Sequence, residues 1–258
     1  MTSIQKPAHR PAPTLNDLSG YALFLDIDGT LADIVATPSQ ARVPREAVTA
    51  IEVLAHHLDG AVALISGRHL DDIDAMTGLQ KISAAGIHGA QMRTMQGFSA
   101  HDRTIADRIA SVQSVLEARV GAMAGVLIER KPLSVAVHYR ACPQNESAIV
   151  SISREIVAGH AALKYIIGKC VVEILPAVAN KGAAIAHFMR LEPFNGRIPL
   201  FAGDDVTDED GFDLVNSMNG VSIKIGDGPS RAVFGFETAA EFRQWLVQKS
   251  GQSEGAGN

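Results

Sequence analysis

The sequence is poor in cysteine, in clustered positive charge and in long apolar runs. Its two cysteines, Cys142 and Cys170 among 258 residues, are too few for a disulfide framework. Reduced thiols in a cytoplasm are therefore expected. The formal net charge is −5, with no basic cluster, so nucleic acid is not an expected partner. No apolar stretch approaches the ~18 residues that a membrane-spanning helix needs, and no membrane partner is expected either. The opening Met1–Asn16 stretch carries three prolines and scattered basic residues but lacks the apolar h-region of a secretory signal. It reads as part of a flexible extension over residues 1–17. No repeat with a period of about 20–50 residues is present. What remains is a globular composition, 47 % apolar and 20 % charged, long enough for one or two packed domains.

The chain is organised around Tyr21-Ala22-Leu23-Phe24-Leu25-Asp26-Ile27-Asp28-Gly29-Thr30. An apolar run bounded by turn residues predicts a buried parallel strand. Ligands of open α/β sheets gather beyond the carboxyl ends of such strands. Asp26 and Asp28 stand two apart, so in an extended chain both side chains point the same way. Gly29 permits a sharp turn and the close approach of a ligand. Two neighbouring carboxylates are costly unless a cation or a shared proton relieves them. The alternative is that one caps the next helix and the other is solvated.

Strands and helices then alternate. Residues 31–43, which include Pro38, read as a loop, and Pro44 starts a helix with Val48, Ile51, Leu54, Ala55 and Leu58 on one face. Ala61–Ile65 predicts a second buried strand, ending at Ser66-Gly67-Arg68. A hydroxyl there can donate to a phosphoryl oxygen alongside backbone N–H groups. Ser66 could also be an ordinary cap for the helix expected over His69–Met76. Arg68 is either a substrate anchor or a solvated charge at that helix start. Lys81–Ala85 predicts a third strand, followed by Gly86-Ile87-His88-Gly89, where His88 marks either a ligand-facing loop or a simple turn.

Later, Asn180 is an expected N-cap, which puts Lys181 in the first turn of a helix. A cation at that end opposes the helix dipole, and a nearby anion would repair the conflict. Pro199–Ala202 predicts the fourth core strand. It runs into Asp204, Asp205, Asp208, Glu209 and Asp210, five carboxylates in seven residues. A solvated acidic loop is one reading. Hard oxygen ligands at an apolar strand end also suit Mg²⁺, which needs only one or two carboxylates plus phosphate. Gly220–Ile225 predicts a further strand. Thr238 and Glu241 form a capping-box pattern before a last helix carrying Phe242, Trp245 and Leu246. Residues 249–258 read as a disordered polar tail.

Between these core segments the pattern changes. Residues 105–178 read helix-strand-strand twice, an α+β layer (αββαββ) inserted into a core of residues 18–104 and 179–248. Glu129 and Lys131 are two apart and can share a face. Lys169 and Glu173, four apart, are expected to share a face of one strand. Glu173 interrupts the apolar run Cys170-Val171-Val172-Glu173-Ile174-Leu175. A buried carboxylate needs a partner, which could be a neighbouring lysine or the hydroxyls of a sugar.

The motifs at Asp26-Ile27-Asp28-Gly29-Thr30, Ser66, Lys181 and Asp204–Asp208 resemble, in order, the four motifs of the haloacid dehalogenase superfamily. From about Tyr21 to Leu246 the chain resembles the trehalose-6-phosphate phosphatases in particular. The resemblance implies a Rossmann-like parallel-sheet α/β core with an inserted cap, and hydrolysis of a sugar phosphate with Mg²⁺. It implies that Asp26 is the nucleophile and Asp28 the acid/base. Ser66 and Lys181 would act on the phosphoryl group. The metal would be held by the Asp26 side chain, the Asp28 backbone carbonyl and the Asp204 side chain, with Asp205 and Asp208 behind them. His88 would border the sugar site, and Glu129, Lys131 and Glu173 would contact the sugar from the cap. His138 and Arg140 belong to a similar His-Tyr-Arg stretch. A partner suggested for the extension is the synthase that would make the substrate. Rival expectations are a sucrose-phosphate or mannosyl-3-phosphoglycerate phosphatase, or a phosphosugar mutase.

Overall fold

The computed structural model describes residues 11–35, 40–94, 97–98 and 103–254. The chain divides into two compact units, Met1–Phe98 with Asn180–Asn258, and Ser99–Ala179.

The first unit is an α/β layer structure around one eight-stranded sheet. Its elements in the first segment are β1 (Tyr21–Leu25), α1 (Arg45–His57), β2 (Val62–Ile65), α2 (Leu70–Thr77), β3 (Ser83–Gly86), β4 (Gln91–Thr94) and β5 (Gly97–Phe98). The second unit then contributes α3 (Arg103–Val120), β6 (Leu127–Arg130), β7 (Val135–His138), α4 (Glu146–Ala158), β8 (Leu163–Gly168) and β9 (Val171–Pro176). The first unit resumes with α5 (Lys181–Phe188), β10 (Ile198–Gly203), α6 (Glu209–Ser217), β11 (Val221–Ile225), β12 (Phe234–Phe236) and α7 (Ala239–Glu254).

The large sheet runs β12-β11-β10-β1-β2-β3-β4-β5. It is parallel from β12 to β3 and antiparallel beyond. Strand β1 lies between β10 and β2, pairing Leu25 with Ala202 and with Leu64. Sequential crossovers with helices on the faces are what bury such strands on both sides. Ala22, Leu23, Phe24 and Leu25 are indeed fully buried. This order sets the carboxyl ends of β10, β1 and β2 side by side, and those ends carry Asp204, Asp26 and Ser66.

Three short strands went unread in the sequence. Strand β4 looks polar, yet Gln91 and Arg93 are buried. Arg93 is neutralised by Asp74 at 2.7 Å and donates to the Ile82 and Leu79 carbonyls. Strands β5 and β12 are only two and three residues long, too short to show a period.

The ends differ from expectation. The expected extension over residues 1–17 is tied down where it is described: Gly235 donates to the Pro11 carbonyl, and Leu15 packs on the core. Residues 1–10 lie outside the described residues. The expected tail from residue 249 instead continues α7 to Glu254. Lys249 reaches back to the Leu15 carbonyl, and Ser250 is buried, so these polar side chains have partners that the local pattern did not reveal. At the start of that helix, Glu241 N–H bonds the Thr238 hydroxyl.

The second unit holds a four-stranded antiparallel sheet ordered β6-β7-β9-β8. Its core draws Ile109, Val112 and Leu116 from α3, Ile149 and Ile156 from α4, and Val135, Val137, Val172 and Ile174 from the sheet. In register, Glu129 lies opposite Ala136 and Ala136 opposite Glu173. Both carboxylates therefore stand in one row, on the face opposite Val135 and Ile174.

Candidate active site

Asp26 follows β1 directly and is almost completely buried. Lys181, the first residue of α5, reaches it with a 2.7 Å bond to Asp26 Oδ1 and a 2.6 Å bond to Asp208 Oδ1. Asn180 caps α5 by accepting from Ala183 N–H, and its own amide donates to Asp210. The cation at the helix start is thus matched by two carboxylates, as the dipole argument requires. Burial by itself would lower the Lys181 pKa, but Asp208 and Asp26 outweigh it and raise it.

Asp208 is fully committed. Its second oxygen accepts from the backbone N–H groups of Asp204 and Asp205 at 3.0 and 2.9 Å. This folds the acidic segment after β10 into a tight turn, in which Asp205 and Asp208 cap each other's backbone. The Asp204 carboxylate lies directly over Gly29. A Cβ at that glycine would fall 1.9 Å from Asp204 Oδ2, and its φ of 80° also favours glycine.

Oxygens of Asp26, Asp204 and Asp208 lie within 4.8 Å of one another. Lys181 bonds two of the three, and Lys224 adds a second cation near Asp204. Burial, then repulsion from Asp208, pushes the Asp204 pKa up to about 7. Burial above all raises Asp26 as well, against the pull of Lys181. This excess of negative charge suits a hard divalent cation. Because Asp208 is taken by Lys181 and two N–H groups, Asp26 and Asp204 are the side chains best placed to hold one.

Ser66 follows β2 directly and is buried. Its Oγ accepts from Arg68 N–H at 3.1 Å, which leaves its own proton to give. His88 is buried close by, its N–H bonded to the Ser66 carbonyl. Ile87 and His88 both take left-handed φ values, 49° and 53°. Such strain in non-glycine residues, roughly 1–3 kcal/mol each, gathers at functional sites. The His88 ring packs on Gly67, where a Cβ would meet it at 2.7 Å. Asp28 is half exposed, and Arg68 grips it with two 2.6 Å bonds. This pairing was not among the readings of Arg68.

In the second unit, Glu173 accepts from the Ser134 hydroxyl at 2.6 Å and from Lys131 at 3.2 Å. Glu129 bonds His138 at 2.9 Å and lies 3.9 Å from Lys131. Four of the expected residues thus form one polar cluster on the sheet. Lys169 and Arg140 lie outside the strands that carry it. Strand β9 begins at Val171, so Lys169 falls in the exposed turn before it, and the same-strand argument linking it to Glu173 fails. Arg140 lies in an exposed turn beyond β7.

Two residues near these clusters were not singled out. Ser134 falls on the polar side of the alternation Ser134-Val135-Ala136-Val137-His138, a signal that did not by itself single it out. Lys224 is buried within β11, and its signal was the one that marked Glu173, a charge interrupting an apolar strand.

The trehalose-phosphatase family model matches residues 24–236. The trehalose-6-phosphate phosphatase of Escherichia coli K12 is 41 % identical over 227 residues, covering 88 % of this chain and 85 % of that one. A probable trehalose-phosphate phosphatase of Sinorhizobium fredii NGR234 is 40 % identical over 234 residues, covering 90 % and 88 %. Among solved structures, a trehalose-6-phosphate phosphatase related protein superposes with a TM-score of 0.74 at 25 % identity, covering 91 % of this chain and 99 % of that one. The α/β core with an α+β insert is thus shared, and the chain belongs to the trehalose-phosphatase family.

Proposed function

We propose that this chain is a Mg²⁺-dependent phosphatase that hydrolyses trehalose 6-phosphate to trehalose and phosphate through an aspartyl-phosphate on Asp26. The observation that carries the reading is the buried Asp26 carboxylate held by Lys181 beside Asp204. A phosphate monoester is dianionic, so an attacking carboxylate needs fixed positive charge around it. Lys181 supplies part of it, and the Ser66 hydroxyl adds a donor. Asp26, Asp204 and the Asp28 carbonyl would hold the metal, which when bound supplies the remaining positive charge and keeps Asp26 ionised.

Asp26 bonds to phosphorus as the bond to the sugar oxygen breaks, and that oxygen takes a proton from the Asp28 carboxyl. Water then attacks phosphorus and gives a proton back to Asp28 as the bond to Asp26 breaks. The Glu129–Lys131–Glu173 cluster, with Ser134 and His138, offers the hydroxyl-matching groups of a sugar site. Such groups discriminate well, because a wrong substrate leaves them unpaired.

The test is phosphate release from trehalose 6-phosphate, sucrose 6-phosphate, mannosyl-3-phosphoglycerate and glucose 6-phosphate, with Mg²⁺ and with EDTA, alongside Asp26→Asn. A strong preference for the first, abolished by EDTA and by the substitution, is expected. Preference for another sugar overturns the substrate, and survival of activity in Asp26→Asn overturns the mechanism.

A further inference from the structure

The geometry points to Arg68 as the residue that positions Asp28 for proton transfer, an inference that rests on the phosphatase reading above. Asp28 lies on the turn after β1, and Arg68 on the turn after β2, 40 residues further along. The guanidinium presents Nε to one carboxylate oxygen and Nη2 to the other, both at 2.6 Å. A two-bond fork fixes the direction of a carboxylate as well as its charge. Asp28 needs that restraint, because its side chain is 42 % exposed, whereas that of Arg68 is 15 % exposed.

Arg68 is itself placed by the phosphate-binding side of the site. Its backbone N–H bonds Ser66 Oγ, and its carbonyl accepts from Ile87 N–H. The second of these links it to the strained Ile87-His88 turn. One turn therefore carries both Ser66, whose hydroxyl is placed to donate to the phosphoryl group, and the group that aims Asp28. The fork takes one lone pair on each oxygen. When Asp28 carries its proton, the proton therefore sits on a remaining lone pair and faces the leaving oxygen while the carboxyl group stays on the fork. The proton passes from Asp28 to that oxygen as the phosphorus–oxygen bond breaks, and water returns it in the second step.

General acid catalysis is worth typically 10²–10⁴-fold, and it matters where the leaving group is a poor one. An alkoxide leaving from a sugar needs the proton, and p-nitrophenolate does not. The experiment compares kcat/KM for trehalose 6-phosphate and for p-nitrophenyl phosphate in wild type, Arg68→Met and Arg68→Lys, with kcat and KM also read separately. kcat/KM covers the steps up to departure of the leaving group and not the shared hydrolysis of the aspartyl-phosphate. For Arg68→Met the loss is expected to be at least about tenfold larger on the sugar phosphate. Arg68→Lys, which keeps the charge and loses the fork, is expected to show the same imbalance. In an Asp28→Asn background, Arg68→Met is expected to add no further imbalance.

Equal losses on both substrates, or a rise in KM alone, would make Arg68 a phosphate anchor or a structural residue and overturn the inference. Full rescue by Arg68→Lys would overturn it too. Thermal unfolding of each variant separates misfolding from these outcomes, because a misfolded fraction lowers both substrates alike. Failure of the wild type on trehalose 6-phosphate overturns the substrate reading. An unchanged ratio in an active enzyme overturns the role of Arg68 alone.

Discussion

Lys224 donates its buried ammonium to the main-chain carbonyls of Asp204 and of Ile225. The side chain passes from β11 to the acidic turn after β10, so it anchors the backbone from which the Asp204 carboxylate projects over Gly29. Lys224→Met leaves two carbonyls without this donor. An expected loss of about 1–3 kcal/mol in unfolding free energy follows, measured by denaturant titration. Removing a group that orients a metal ligand typically costs 10–100-fold in affinity, so Mg²⁺ binding, followed calorimetrically, is expected to weaken on that scale. A tighter Mg²⁺ site in Lys224→Met would show that Lys224 acts only as an opposing charge.

Lys181→Met removes the cation that two buried carboxylates share. Breaking a buried pair by deleting one partner costs roughly 3–5 kcal/mol, so the variant is expected to unfold at clearly lower denaturant. Phosphatase activity is expected to vanish with it, since the fixed charge beside Asp26 is gone. A stable and active Lys181→Met protein would refute the assignment of Lys181 to the phosphoryl site.

The metal-free protein should lose stability as pH rises. Asp204 titrates near 7 in the folded state, against a reference value of 3.8. The folded form therefore holds its proton more tightly than the unfolded form between those values, and the stability this confers is lost as pH rises through about 7. Asp26 is shifted the same way. A bound divalent cation takes the place of the proton, so the gain in Tm on adding Mg²⁺ is expected to be small near about pH 5 and large near about pH 8. The gain should flatten in Asp204→Asn. A gain independent of pH would argue against carboxylate ligation at this cluster.

Glu173→Ala removes the carboxylate that takes both Ser134 and Lys131. If the cluster serves a sugar, KM for trehalose 6-phosphate rises by about 10-fold or more, while KM for p-nitrophenyl phosphate stays near its wild-type value. Equal changes on the two substrates would reduce the cluster to an internal ion pair of the second unit.

Much of the site was legible because it follows a local rule. An apolar run ending in Asp, Ser or an acidic cluster places those groups at the carboxyl end of a strand, whatever lies beside it. Asp26, Ser66 and Asp204 were marked as candidates in this way, and Lys181 by its conflict with a helix start, while the family resemblance chose between the readings that the local pattern left open. The cap cluster was partly legible for the same kind of reason, since Glu173 and Glu129 are charges at strand positions. Lys169 misled because the turn between β8 and β9 falls one or two residues later than the glycine signal suggested. Strand β4 was hidden because its polar residues are buried by partners such as Asp74, which lies 19 residues away from Arg93.

The longer elements, their order and the chemistry at their ends can be read locally, because hydrophobic period, capping and turn residues act within a few positions. Which charges meet is settled by the fold alone. Lys181 is 155 residues from Asp26, and Arg68 is 40 from Asp28. Electrostatic pairing depends on separation in space, and that separation is set by the seating of β1 between β10 and β2.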